Sequence, residues 1–132
     1  MMSEGQMPFK PARYNSVSPY LIVDGAQGTI DFLVTVFDAT PLRIIPRGDG
    51  KLTHGEVRID DTVLMITDAN EGWPALAANV HIYVANVDAT FARALKAGAV
   101  PIQEPVQRGD PDKRGGFRDA GGTNWWIAQQ LE

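Results

Sequence analysis

The hydrophobic and polar positions of this chain form a series of patterns that occurs twice along the sequence. Residues 17–66 and 80–127 each open with a short apolar run, continue with helical spacing and close with three short strand-like runs. A repeat of this length indicates two similar units, because each unit must bury its apolar face against a neighbour. The pattern therefore predicts an α+β chain in which a strand, a helix and three strands occur two times over.

Two stretches have the spacing of an amphipathic helix. The first covers Ala26–Phe37 and is stopped by the polar and proline-containing residues 38–41. The second follows Val87 and Asp88 and ends at Gly98, which suits the left-handed conformation after a helix. The apolar residues expected on the inner faces are Ile30, Leu33, Val34 and Phe37 in the first helix and Phe91, Ala94 and Leu95 in the second.

Turn residues separate the remaining strands. Residues 47–50, Arg-Gly-Asp-Gly, predict a hairpin turn after a strand at 42–45. In the second unit, we expect a strand at 100–102, a polar loop at 107–115 and a final hairpin made of 116–119 and 124–128.

The domain organisation follows from length and periodicity. A chain of 132 residues is long enough for one hydrophobic core. Residues 1–14 contain Pro8 and Pro11 but no clear period, so they predict a flexible N-terminal tail. The rest of the chain, 15–132, is predicted as a single domain with module 1 at 15–68, a linker at 69–78 and module 2 at 79–131.

Composition excludes several classes of function. The net charge is −4 and the basic residues are scattered, which argues against a nucleic acid partner. The chain has no Cys, so disulfides and thiolate sites are absent. It also lacks an apolar run of about 18 residues and the features of a signal peptide. We therefore expect no membrane partner and a cytoplasmic location.

Several segments resemble the vicinal-oxygen-chelate superfamily, which includes glyoxalase I, extradiol dioxygenases and the fosfomycin- and bleomycin-resistance proteins. The resemblance covers about residues 15–131. Its most specific segments are SPYLIV at 18–23, LTHGEVRI at 52–59, HIYV at 81–84, VDA at 87–89, RGGFRD at 114–119 and NWWIA at 124–128. The resemblance implies a pair of βαβββ modules whose sheets curl around a shared groove, with the helices outside. It also implies a homodimer with a ligand in the groove, and in the enzymes a divalent metal as well.

The resemblance places metal ligands on the opening and final strand of each module. Carried onto this sequence, those positions are Pro19 and Met65 in module 1, and His81 and Trp126 in module 2. His81 alone suits a divalent metal, because Pro and Trp cannot bind one and a thioether is too soft. A catalytic site needs about three protein ligands. The sequence therefore favours a groove without metal and without another cofactor.

An alternative keeps the metal. His54 and Glu56 are two residues apart on one predicted strand, so their side chains share a face, and the alternation turns them and Arg58 toward the groove. With His81 they would give a rearranged His-Glu-His set. Otherwise His54 and Glu56 are polar residues that line the groove and pair with each other or with Arg58.

Aromatic and basic residues are the other candidates for binding. Alternation in the last strand directs Trp126 to the groove and Trp125 to the helix side, and an indole wall with Tyr83 nearby favours a flat ligand. Arg118 either binds an anion or, like the equivalent Arg58, has a structural role such as pairing with Asp119 or Asp60 at the turns. The predicted ligand-binding residues are His54, Glu56, His81, Tyr83, Arg118 and Trp126.

These observations favour a small-molecule-binding protein that acts without metal and takes a planar or anionic compound between two protomers. The alternative function is a divalent-metal-dependent lyase, isomerase or dioxygenase that uses His54, Glu56 and His81. A third hypothesis is a dimeric interaction module with no small ligand.

Overall fold

The computed structural model describes residues 7–132, and its elements repeat the order strand, helix, three strands. Module 1 consists of β1 (Tyr20–Val23), α1 (Ala26–Phe37), β2 (Thr40–Pro46), β3 (Leu52–Ile59) and β4 (Thr62–Asp68). Module 2 consists of β5 (Ala78–Tyr83), α2 (Val87–Lys96), β6 (Val100–Gln107), β7 (Asp112–Arg118) and β8 (Thr123–Gln130). The predicted α+β class and the two βαβββ modules are confirmed.

Each module forms a four-stranded mixed sheet, in the orders β1-β4-β3-β2 and β5-β8-β7-β6. The opening strand is parallel to the final strand, and the other pairs are antiparallel. Tyr20 lies opposite Met65 in module 1, and His81 lies opposite Trp126 in module 2. The register therefore makes Tyr20 the counterpart of His81. The assignment of that position to Pro19 was wrong by one residue, because Pro19 precedes the strand.

One hydrophobic core joins the modules through α1. Its buried stripe packs on its own sheet, while Phe37 contacts Phe117 and Trp125 of module 2 at centroid distances of 6.1 and 5.3 Å. Val34 was wrongly predicted to face inward: it is 38% exposed, whereas Val36 is fully buried. α1 packs on its own sheet and against α2, and Val34 lies at the outer edge of this buried stripe.

The second half of module 2 contains more strand than the sequence predicted. The expected polar loop at 107–115 is mostly β6 and β7, with only 108–111 between them. Pro101 and Pro105 are tolerated because β6 is an edge strand with irregular register. Gly115 is tolerated because Pro105 packs over it, its Cγ 3.1 Å from the place a Cβ would occupy.

Two turn predictions are confirmed. The hairpin at 47–50 is closed by the Arg47 amide, which donates to the Lys51 carbonyl at 2.8 Å. Gly98 follows α2 with a φ of +101°, in the left-handed region that favours glycine.

The described helices of this chain are all too short or too polar to cross a membrane. Between the modules, the chain folds back on itself at residues 70–73, where Asn70 and Trp73 pair through their backbones. Residues 1–6 of the predicted tail lie outside the described residues. The domain boundaries and the cytoplasmic location stay predictions.

Candidate functional site

Each sheet has one face against the helices and one face turned away from them. In β3, Val57 and Ile59 are buried in the core, so His54, Glu56 and Arg58 lie on the opposite face, as the alternation predicted. In the same way β8 buries Trp125 and turns Trp126 outward. We call these outward surfaces the module 1 face, with Tyr20, His54, Glu56, Arg58 and Met65, and the module 2 face, with Asn79, His81, Tyr83, Arg114, Gly116, Asn124 and Trp126.

The module 1 face is centred on a buried carboxylate. Glu56 is only 1% exposed, although its side chain points away from the core. Its Oε1 accepts a hydrogen bond from the Tyr14 hydroxyl at 2.5 Å, and its Oε2 lies 2.7 Å from His54 Nε2. An ionised carboxylate only accepts hydrogen bonds, so Nε2 of His54 is the donor. The predicted pairing of His54 with Glu56 is therefore present.

These contacts set the charge state of the pair. Burial on its own would raise the pKa of Glu56, but hydrogen bonds from Tyr14 and His54 outweigh it and hold the pKa below its ordinary value. The hydrogen bond to the Glu56 carboxylate, with help from burial, raises the pKa of Tyr14. At neutral pH the carboxylate is therefore charged and the phenol keeps its proton.

The segment that carries Tyr14 lies across the module 1 face. We call residues 11–17 the strap. Asn15 Oδ1 accepts from the Val63 amide at 2.8 Å, and Arg58 donates to the Arg13 carbonyl at 3.2 Å. The Arg43 guanidinium lies 5.6 Å from the centre of the Tyr14 ring, within cation–π distance. These contacts could not be predicted, since the strap has no periodicity and Tyr14 is 42 residues from Glu56.

The module 2 face has a different centre. Nη1 of Arg114 lies 3.1 Å from Nε2 of His81. Because a guanidinium only donates, Nε2 accepts and the imidazole carries its proton on Nδ1. Arg114 also donates to Asp112 at 3.0 Å and to Asp110 at 3.3 Å. Tyr83 donates to the same Asp112 oxygen at 2.7 Å. The predicted residues His81 and Tyr83 are thus neighbours, with ring centroids 5.0 Å apart.

Trp126 lies over a glycine. A Cβ on Gly116 would come within 2.5 Å of the indole carbons Cε3 and Cζ3, so the ring rests on the backbone of β7. The indole N–H donates to Asn79 Oδ1 at 3.0 Å. A side chain at position 116 would displace the ring. The glycine therefore fixes the position of the indole that the sequence directed to this face.

Arg118 lies at the far end of the module 2 face. It donates to Asn124 Oδ1 at 2.8 Å. The predicted pairing of this arginine with Asp119 was wrong, because that carboxylate accepts from the Trp125 indole N–H at 2.9 Å and from the Thr123 amide at 3.0 Å. Arg58 likewise bonds to the Arg13 carbonyl rather than to an Asp at the turn.

The positions that hold metal in the implied enzymes do not fit a divalent cation here. The register gives Tyr20, Met65, His81 and Trp126 at those positions. Met and Trp are unsuited to such an ion, and Tyr20 and His81 alone fall short of about three ligands. In the described part of the chain, no three His, Cys, Asp or Glu side chains are grouped closely enough to hold a metal.

The rearranged set is also not assembled within one chain. His54 and Glu56 belong to the module 1 face and His81 belongs to the module 2 face. The Nε2 lone pair of His81 already accepts from the Arg114 guanidinium, whose positive charge would repel a cation at that nitrogen.

Two of the clefts that lie where the modules meet share lining residues, and their volumes are about 450 and 270 Å³. Asp60, Ile82 and Tyr83 line both clefts, and His81 lines the smaller one. The Trp126 indole lies outside both linings. The module 2 face is thus an open surface in a single chain, and Tyr83 on it is 62% exposed.

Comparisons with known proteins agree with this architecture. Residues 13–127 match the family model described as Glyoxalase/Bleomycin resistance protein/Dioxygenase superfamily. An uncharacterised protein of Mycobacterium bovis is 34% identical over 127 residues, which cover 88% of this chain and 84% of that protein.

Two solved structures illustrate the fold. TioX from a Micromonospora species has a TM-score of 0.70 at 20% identity, covering 88% of this chain and 100% of that one. TnmS3, an antibiotic binding protein from a Streptomyces species, has a TM-score of 0.65 at 20% identity, covering 89% and 99%. The family match spans most of the sequence, and the register, sheet order and repeated modules fit it. The chain therefore belongs to the glyoxalase/bleomycin resistance protein/dioxygenase superfamily.

Proposed function

We propose that this chain is a small-molecule-binding protein that takes a planar compound on its module 2 face without a metal. The observation that carries the proposal is the Trp126 indole, which is held by Gly116 beneath it and Asn79 at its edge. One ring face packs on the backbone and the half-buried ring offers its other face to a ligand. Stacking on such a ring contributes about 0.5–1.5 kcal/mol beyond the area buried.

The neighbouring charges favour a neutral or weakly polar planar ligand over a strongly anionic one. Arg114 is the cation nearest to His81, and it already donates to Asp110 and Asp112. These carboxylates offset most of its attraction for an anion. The Nδ1–H of His81 and the amide of Asn79 remain as polar groups that orient a ligand.

We further propose that two copies enclose the ligand in a homodimer. The module 2 face is open in one chain, and large apolar residues beside the two faces are exposed. Tyr20 is 48% exposed, and Trp73, Tyr83 and Ile102 are exposed as well. Large apolar side chains exposed around an open face are typical of an interface. The similarity to TnmS3, an antibiotic binding protein, supports a ligand of drug-like size.

The test is a fluorescence titration of the purified protein with a library of planar heteroaromatic compounds, together with its metal content and its mass by sedimentation equilibrium. We expect a dimer and at least one compound that quenches tryptophan emission. Trp126→Ala should weaken its binding about 10- to 100-fold, since truncating a buried aromatic anchor commonly costs on the order of 2 kcal/mol. Val34→Ala, a truncation of an exposed apolar side chain on the helix side, is the control and should leave the affinity within about twofold.

Two outcomes would overturn the proposal. One is the absence of quenching by any compound. The other is a stoichiometric divalent metal that is lost in His81→Ala, which would establish the metal-dependent alternative.

A further inference from the structure

We propose that the module 1 face contains a second binding site, selective for a phenolic compound, which Tyr14 of the chain itself fills as an internal ligand. The site is separate from the module 2 face, so either proposal can fail without the other.

The site recognises each part of a phenol. The hydroxyl donates to Oε1 of Glu56, and only 1% of the Glu56 residue is exposed to solvent. The other carboxylate oxygen is held by His54 Nε2 at 2.7 Å, which fixes its orientation. The Arg43 guanidinium lies 5.6 Å from the ring centre and attracts the π face. Arg43 of β2 thus interacts with the ring, while Glu56 of β3, oriented by His54, binds the hydroxyl.

The carboxylate requires a donor in this position. A buried carboxylate that loses one of its hydrogen-bond donors is destabilised, so Glu56 selects for an occupant with a hydroxyl over one without. In the resting chain that occupant is Tyr14. An external phenol makes the same hydrogen bond, and a ring of the same size without the hydroxyl does not.

The occupant belongs to a segment that lies outside the sheets and helices of the described chain. The strap precedes β1 and forms no strand or helix. It is tied to the module by a few side-chain contacts, those of Asn15 and Arg58 besides Tyr14. An external ligand must compete with a tethered one, whose effective concentration is in the millimolar range for a short flexible connection. Removal of the Tyr14 ring should therefore increase the apparent affinity for a phenol about tenfold or more.

The chain supplies a matched control for the phenol–carboxylate pair. Tyr83 also donates to a carboxylate, that of Asp112, at 2.7 Å. Its side chain is 62% exposed, so removing it leaves open surface rather than a site. Tyr83→Ala should accordingly show no selective uptake of a phenol.

The experiment measures thermal unfolding of the full chain, and the NMR signals of its two histidines, with p-cresol or toluene added. In Tyr14→Ala we expect p-cresol at ten times its dissociation constant to raise Tm by about 3–5 °C. It should also shift the His54 signal far more in this variant than in the native chain. Toluene should bind at least about tenfold more weakly. The second substitution in Tyr14→Ala/Glu56→Gln should reduce this preference for p-cresol.

If Tyr14→Ala does not fold alone, recovery of the folded spectrum with p-cresol but not with toluene supports the site. The site is refuted if p-cresol neither stabilises nor restores Tyr14→Ala. It is also refuted if toluene is equally effective, or if Tyr83→Ala responds to p-cresol as strongly as Tyr14→Ala does.

Discussion

The two modules share one backbone plan and differ at the residues on their outward faces. Where β3 has Glu56 opposite Met65, β7 has Gly116 opposite Trp126. The carboxylate in module 1 is covered by a segment of the chain itself, while the glycine in module 2 makes room for an indole. Repetition of a fold therefore does not repeat a site. The remaining pairs of equivalent positions are Tyr20 with His81, His54 with Arg114 and Arg58 with Arg118.

The largest contrast should lie between the two adjacent indoles of β8. Trp125 is fully buried and donates to Asp119, so Trp125→Ala should lower the free energy of unfolding by about 3–5 kcal/mol. Trp126 lies on the outward face, and Trp126→Ala should cost about 1 kcal/mol. Chemical denaturation of both variants measures the difference. Equal losses would contradict the assignment of the two rings to opposite faces.

The next largest effect on stability should come from the packing of Trp126 on Gly116. Gly116→Ala places a methyl group 2.5 Å from the indole carbons, so we expect a loss of about 1–3 kcal/mol in unfolding free energy and a shifted tryptophan emission. Gly28→Ala is the matched control. Gly28 is in α1 with open space at its Cβ, and the change should stabilise the protein by about 0.5–1 kcal/mol. A Gly116→Ala variant as stable as the native protein would show that the ring does not rest there.

The strap gives a smaller effect. Tyr14→Phe removes the hydroxyl that donates to Glu56 and keeps the ring, so the free energy of unfolding should fall by about 1 kcal/mol. The NMR signal of His54, which shares the carboxylate, should move while that of His81 stays. Unchanged stability together with an unchanged His54 signal would place the strap away from the module 1 face.

The pH dependence of this pair follows from its pKa shifts. A depressed pKa at Glu56 contributes stability that is fully present above the unfolded-state value of 4.5 and is lost as the pH falls through the folded value. The raised pKa of Tyr14 contributes stability that is fully present below 10.0 and is lost as the pH rises through the folded value. Arg43 and Arg58 are the cationic side chains beside this pair: Arg43 lies against the Tyr14 ring and Arg58 donates to the strap.

We therefore expect the acid-side loss of stability to be smaller in Glu56→Gln than in the native protein, and the alkaline-side loss to be smaller in Tyr14→Phe. Denaturation midpoints recorded across pH provide the comparison. Parallel pH profiles for all three proteins would mean that this network does not contribute to stability.

Much of this architecture was predictable from the sequence, because it follows from the period of apolar residues. The repeated order of elements and the opposite directions of Trp125 and Trp126 are properties of local alternation. The charged and glycine-rich residues 113–116 were harder to predict, because their composition is typical of a loop. They form a strand because β6 and β8 pair with them on both sides.

The polar contacts of the site depend on distance in space rather than in sequence. Tyr14 meets Glu56 across 42 residues, and Arg114 meets His81 across 33. No spacing rule connects such pairs. Both contacts were therefore missed, although the partners Glu56 and His81 were predicted as site residues.

The most direct test of the account is a crystal structure of the purified protein with the compound that quenches tryptophan emission most strongly. We expect this compound to lie against the free face of the Trp126 indole, close to His81, with Arg114 still donating to Nε2. A metal ion bound by His54, Glu56 and His81, brought together from two copies of the chain, would contradict it.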